Sequence, residues 1–365
     1  MRAVNRSSQP RRDPLVWLDL SNSPNVLFCR PLIAELESRG YRTVVTIRDF
    51  AQTKPLCDLY GLPYMLIGGH GGRSLAGKAG NLAARAQALL RFARATRPDL
   101  ALTHNSYSQL IVTRLLRIPA VTSMDYEFQP ANHLAFRCAD RVFVPRAFPD
   151  AVLRRQGAPS RKVWKYPGLK EDISLAGFTP LPGYRESHGW PATRPLVVVR
   201  PPATFALYHR FENRLFPSLL ERLKSAADCT TVVLPRTPAQ AADLQAGGYG
   251  DLLWHAEALD GPNLATAADL VVSGGGSMVR EAAVLGTPAY SIYAGKLAGI
   301  DNELLATGRL RLLRTEDDVS ALPLEVKAQG PTETVGDRLA SEFVDHVENA
   351  WNSCRRRDTG ATRLS

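Results

Sequence analysis

Two doubly wound α/β domains facing each other across a cleft are what this sequence predicts, and three observations lead there. Short apolar, β-branched runs alternate with amphipathic helical stretches almost throughout, the pattern of parallel βαβ units. A turn-rich stretch with four prolines, from Phe178 to Pro195, divides that series. The length of 365 residues gives each part material for its own core.

In the first series Val16–Leu20, Thr43–Ile47, Tyr64–Ile67, Leu100–Thr103, Ala120–Ser123 and Val142–Val144 read as buried strands. Leu27–Arg39, Ala79–Thr96, Tyr107–Arg117 and Ala131–Cys138 read as helices, several closed by Gly40, Pro98 and Pro119. Strands Leu196–Arg200, Thr230–Leu234, Leu270–Ser273 and Ala289–Ile292 follow the break, with helices Glu212–Ala226, Ala239–Gln245, Ser277–Leu285 and Asn302–Thr307. The expected organisation is a basic N-terminus at 1–14, a first domain at 15–175 and a linker at 176–195. A second domain at 196–332 and a C-terminal helix at 333–354 follow, before a basic tail at 355–365 that is expected to fray.

Composition narrows the class. With 45% hydrophobic and 22% charged residues, the chain matches soluble globular proteins rather than disordered or fibrous ones. No run approaches the ~18 apolar residues of a spanning helix, and the charged start, Met1 to Pro14, does not read as a secretory signal. Five scattered cysteines without a CxxC pair argue against a disulfide scaffold or a zinc site and fit a reducing cytoplasm. Residues 1–170 carry 26 Lys/Arg against 11 Asp/Glu, whereas residues 171–365 carry 19 against 24. The basic half is expected to meet an anionic acceptor or the inner face of a membrane. Helix 79–96 suits that role, with Arg85, Arg91 and Arg94 beside an apolar stripe of Leu82, Ala86, Leu89 and Ala93. No nucleic acid is expected, because no reader motif occurs.

The clearest local signal is the run from Ala268 to Pro288 (ADLVVSGGGSMVREAAVLGTP). An apolar strand enters three glycines, Gly274, Gly275 and Gly276, and a helix starts near Ser277. Glycines let a diphosphate approach the backbone, where exposed N–H groups and the helix dipole favour negative charge. Glu281 lies one turn into that helix, placed to accept from vicinal ribose hydroxyls. The run fits neither the GxGxxG nor the Walker A pattern.

Glu281 to Pro288 after a glycine turn is similar to the nucleotide-sugar motif of GT-B glycosyltransferases and of non-hydrolysing UDP-N-acetylglucosamine 2-epimerases. More specifically, Val16 to Leu313 resembles the domain-of-unknown-function family three-five-four of the GT-B superfamily. Trp17–Pro24 (WLDLSNSP), Arg48–Thr53 (RDFAQT), Asp58–Gly61 (DLYG), Arg97–Leu100 (RPDL) and Tyr166–Glu171 (YPGLKE) carry the match. Val199–Pro202 (VRPP), Ala206–Asn213 (ALYHRFEN), Leu234–Pro238 (LPRTP) and the glycine turn complete it. The resemblance implies a GT-B fold in which the turn amides hold a diphosphate and Glu281 the ribose. One departure stands out: members commonly carry Pro-His-Val where this chain has Pro24-Asn25-Val26. That puts base catalysis from this position in doubt.

Other candidates follow the strands. Asp19, Asn22 and Asn25 end or follow the first strand on the acceptor side, where Ser and Asn also serve as ordinary helix caps. His104 follows the fourth strand, Asp125 and Glu127 the fifth, and His133 opens the next helix; they are raw material for acid–base work. His70 sits in a glycine-rich loop that can close over a ligand or simply lie on the surface. Arg200 and Arg236, at strand ends of the second domain, suit a diphosphate, as do His209 and Arg210. Lys170 and Glu171 sit where domain closure brings them to a ligand.

The expected activity is glycosyl transfer from a nucleoside-diphosphate sugar, UDP-linked, to an acceptor in the first domain, with Asp125 or Glu127 as base. Epimerisation of a nucleotide sugar and non-catalytic binding are the alternatives. No cofactor and no essential metal are expected, the nucleotide sugar being the substrate.

Overall fold

The computed structural model describes residues 13–69, 75–202, 213–254, 258–328 and 336–361. Seven strands build the first sheet: β1 (Leu15–Leu20), β2 (Arg42–Ile47), β3 (Met65–Leu66), β4 (Leu100–Thr103), β5 (Ala120–Ser123), β6 (Arg141–Pro145) and β7 (Val163–Tyr166). Their order is β3-β2-β1-β4-β5-β6-β7. The second sheet holds β8 (Leu196–Arg200), β9 (Thr230–Val233), β10 (Leu270–Ser273), β11 (Ala289–Ser291) and β12 (Arg311–Leu312), in the order β12-β11-β10-β8-β9. Every pairing is parallel. Parallel sheets are covered on both faces by crossover helices, which is why β1, β4, β5, β8 and β10 are buried nearly end to end. The two-domain, GT-B-like α/β architecture is therefore the one the alternation predicts.

Two strands lie outside the expected set, β7 and β12. Lys165 in β7 reaches out to Asp150, and Arg311 of β12 is exposed, so neither reads as an apolar run. Several short helices were also invisible to periodicity, among them Thr53–Leu59, Lys170–Ser174 and Gly261–Ala267. Two turns or fewer give the 3.6-residue pattern too little length to register. The last helix runs Gly336–Ala361, past position 354, after which the basic tail was expected to begin. No helix of the described residues is long and apolar enough to cross a membrane.

That last helix packs on the first domain. Leu339, Phe343, Val344, Val347 and Trp351 share a core with Phe28, Leu32, Phe143 and Tyr166. The His346 ring stacks on Trp164 at 4.0 Å, and Arg39 reaches Asp345 and Glu348.

The loop after β5 joins the domains. Tyr126 Oη lies 3.1 Å from Tyr293 Oη, and Lys296 Nζ stands 5.5 Å over the Phe128 ring. The Glu127 carboxylate accepts from the Gly299 N–H at 2.8 Å, at the start of helix Gly299–Ala306.

Candidate functional site

The glycine turn needs each of its glycines for a separate reason. A Cβ at Gly274 would stand 2.6 Å from Pro202 Cα, inside any real contact. Gly275 and Gly276 adopt φ of +104° and +108°, which side chains with a Cβ rarely enter. Helix Ser277–Val284 starts directly behind them, so the turn's exposed amides and the positive end of the helix dipole coincide.

Two guanidinium groups border the turn. Arg236 donates from Nη2 to Gly275 O and from Nε to Pro201 O, both at 2.7 Å. Arg200 donates from Nη1 to Leu234 O at 3.0 Å and from Nη2 to Gln52 Oε1 of the first domain at 3.3 Å. Burial, with Arg236 alongside, pulls Arg200 down to about 9. Such an arginine gains from any anion that comes to share its pocket.

Lys170, from helix Lys170–Ser174, links this turn to the first domain. Its Nζ donates to Ser277 Oγ at 2.9 Å and lies 3.1 Å from Asp125 Oδ2 and 3.4 Å from Glu171 Oε1. Burial alone would lower its pKa, but Asp125 and Glu171 hold it above the usual lysine range. Asp125 also takes Arg280 Nη1 on Oδ2 at 3.0 Å and meets His104 Nε2 at 3.2 Å on Oδ1. Burial works against charge on Asp125, yet Lys170, His104 and Arg280 outweigh it and hold the carboxyl well below the usual range. Arg280 is itself clamped by Asp301, Nε to Oδ1 at 2.7 Å and Nη2 to Oδ2 at 3.1 Å.

His104 is kept neutral, mainly by burial, with Lys170 adding to the effect against Asp125. With Nε2 facing Asp125, the ring nitrogen left to accept a proton is Nδ1, which has no hydrogen-bond partner among the described residues. Glu281 is buried 4% exposed near Gly261 and is pushed up to about 7 by burial first and by Glu171 next.

Lys170, Glu171, Asp125, His104, Glu281, Ser277, Arg200, Arg236 and the three glycines thus converge at the carboxyl ends of the two sheets, where ligands of such folds bind. Other expected residues do not join them. Glu127 caps a helix across the domain boundary, so its carboxylate is committed to a backbone N–H. Asp19 is fully buried in a bidentate pair with Arg85, Nη1 to Oδ2 at 2.8 Å and Nη2 to Oδ1 at 2.7 Å. Thr46 and Ser106 hydroxyls complete its shell, which leaves nothing for an acceptor. The same pair removes Arg85 from the outward face of its helix. His133 is exposed, its Nδ1 3.3 Å from Arg137 Nη1. Asn22 is exposed and accepts from the Ser23 N–H. Asn25 is buried and reaches His104 O at 3.4 Å, so it braces the backbone of the histidine. His70, His209 and Arg210 lie outside the described residues.

Sequence reasoning missed Gln52, Arg280 and Asp301. Arg280 and Asp301 signal themselves only as charges in mostly buried helices, which local pattern cannot distinguish from surface positions, and Gln52 is an uncharged residue just before a short helix.

Fold and site together define a GT-B-like α/β protein whose glycine turn ends the central strand β10 and opens a helix. Residues 15–328 match the family described as protein of unknown function DUF354, and the chain belongs to that family. An uncharacterized protein of Methanocaldococcus jannaschii is 26% identical over 340 residues, covering 89% of this chain and 98% of that protein. Among solved structures, the UDP-GlcNAc 2-epimerase of Neisseria meningitidis bound to UDP-GlcNAc superposes with a TM-score of 0.71 at 14% identity, over 92% of this chain and 100% of that one. The glycotransferase of kitacinnamycin gives a TM-score of 0.55 at 14% identity, over 97% and 100%. Both chains are similar in fold.

Proposed function

We propose that this protein binds a nucleoside-diphosphate sugar, UDP-linked, in the interdomain cleft and transfers its glycosyl group to an acceptor seated against the first domain. One observation carries the reading: Lys170 Nζ touches both Ser277, the first residue of the helix behind the glycine turn, and the buried carboxylates of Asp125 and Glu171. A cation at that point faces the bridge between sugar and diphosphate, where negative charge develops as the bond breaks. The turn amides, Arg200 and Arg236 hold the diphosphate, and Glu281 holds the ribose.

The proton acceptor is His104 rather than Asp125. Asp125 is saturated by Lys170, Arg280 and His104, and its depressed pKa makes it a poor base. It holds the Nε2–H tautomer of a neutral imidazole, leaving Nδ1 as base. Epimerisation is the second reading, favoured by the closeness of His104, Asp125 and Glu171 around one lysine, which gives an acid and a base in one cleft.

Product analysis with UDP-sugars decides. Transfer releases UDP only when an acceptor is present, whereas epimerisation yields a new nucleotide sugar without one. His104→Gln should lower turnover by about 100- to 10,000-fold, the range of a lost general base, with UDP affinity kept. Full activity in that variant would overturn the assignment of the base.

A further inference from the structure

Glu171 presents a problem that the reading above does not solve. It is fully buried, and neither of its carboxylate oxygens has a hydrogen-bond partner among the described residues. Its ion-pair partner, Lys170, stands at 3.4 Å and divides its charge with Asp125. A buried carboxylate normally collects donors, so an empty one at a cleft points to donors that arrive with a ligand.

The groups around Glu281 sharpen the point. Helix Lys170–Ser174 presents Lys170 and Glu171, β8 presents Arg200, and Asp260 precedes helix Gly261–Ala267. From the first domain, Tyr60 at the end of helix Thr53–Leu59 feels the charge of both Asp260 and Glu281. Arg280, on the same helix as Glu281, is occupied by Asp301 and Asp125. Lys170 and Arg200 therefore face the acids Glu171, Glu281 and Asp260, with Asp125 drawing on Lys170 as well. Positive charge is short.

We propose that Glu171 and Glu281 form one seat for the vicinal hydroxyls of the bound nucleotide, and that ligand binding expels a proton from Glu281. The inference rests on the nucleotide reading and extends it to Glu171, which accepts from a ligand hydroxyl and adds its charge to the setting of Glu281. In the free protein, burial first and repulsion from Glu171 next keep Glu281 partly protonated near neutrality. A cis-diol brings two O–H donors, and these favour the ionised pair. The proton leaves for solvent and no covalent bond changes.

Calorimetric titration of the full chain with UDP at pH 7, in phosphate and in Tris, reads the proton count from the difference in buffer heats. Since Glu281 sits at about 7, wild type should release about half a proton per UDP. Glu171→Gln, which removes the repulsion but not the burial, should release clearly less, and Glu281→Gln, which removes the titrating group, almost none. An equal count in wild type and Glu171→Gln overturns the seat. Infrared spectra of the ligand-free protein give a second reading that needs no nucleotide. A protonated-carboxyl band should be present at pH 6, vanish by pH 8, and be missing in Glu281→Gln. A ligand-free wild type with no such band overturns the proton on Glu281. The expected band without any UDP heat overturns the nucleotide reading and leaves that proton standing. UDP heat without proton release overturns the seat alone.

Discussion

At the scale of the residue, Glu281 shows function set against stability. Its pKa is raised from 4.5 to about 7, so the folded state keeps a proton that the unfolded chain has already lost. Stability therefore falls as pH rises through that window, by roughly 3 kcal/mol in all. Asp125 has the opposite sign: its pKa is depressed, so its contribution is present above the ordinary carboxylate range and fades as pH falls. Glu281→Gln should make the ligand-free protein more stable at pH 8, by up to roughly 3 kcal/mol, in urea unfolding. The same variant should bind UDP about 10- to 100-fold more weakly, having lost charge-assisted bonds to the ribose. A loss of stability at pH 8 would show that the charge is matched by partners rather than left short of them.

Elements place these residues. Helix Lys170–Ser174 is only five residues long, yet it carries both Lys170 and Glu171 and packs between the first helix, Pro24–Ser38, and the last, Gly336–Ala361. The fit is close: a Cβ on Gly336 would stand 2.5 Å from Asp172 O. The strand–turn–helix unit around Gly274 is equally tight. Gly274→Ala drives a methyl into Pro202 backbone, and neither side can yield without moving β8 or β10. Such strain should lower stability by about 1–3 kcal/mol and abolish the UDP-induced rise in melting temperature, measured by thermal shift. An unchanged shift would mean that the turn has slack that its geometry does not show.

The whole molecule depends on a long-range closure. The last helix supplies Phe343, Val344, Val347 and Trp351 to a core whose strands, Tyr166 of β7 included, lie far earlier in the sequence. A chain ended before Gly336 would expose the apolar faces of Phe28, Phe143 and Tyr166. Removing several such side chains at about 3–5 kcal/mol each exceeds the 5–15 kcal/mol available to a typical domain. The truncated chain should lose the cooperative urea transition of the first domain. A wild-type midpoint would show that the helix is an accessory.

The alternation of apolar strands and amphipathic helices by itself determined the fold class, and the three glycines determined where the chain makes its tight turn into a helix. Both are local signals: burial on two faces writes continuous apolar runs, and a turn that must admit backbone excludes Cβ atoms. The roles of the charged residues were decided only by tertiary structure. Asp19 and Asp125 both follow apolar strands, and nothing nearby in the sequence says that one meets Arg85 in a closed core while the other meets Lys170 and Arg280 at a cleft. Glu127 and His133 looked equally available, until the first was seen to cap a helix of the other domain and the second to face outward. A carboxylate's chemistry is set by the charges and dielectric around it, and at Asp125 those include Arg280, 155 positions away.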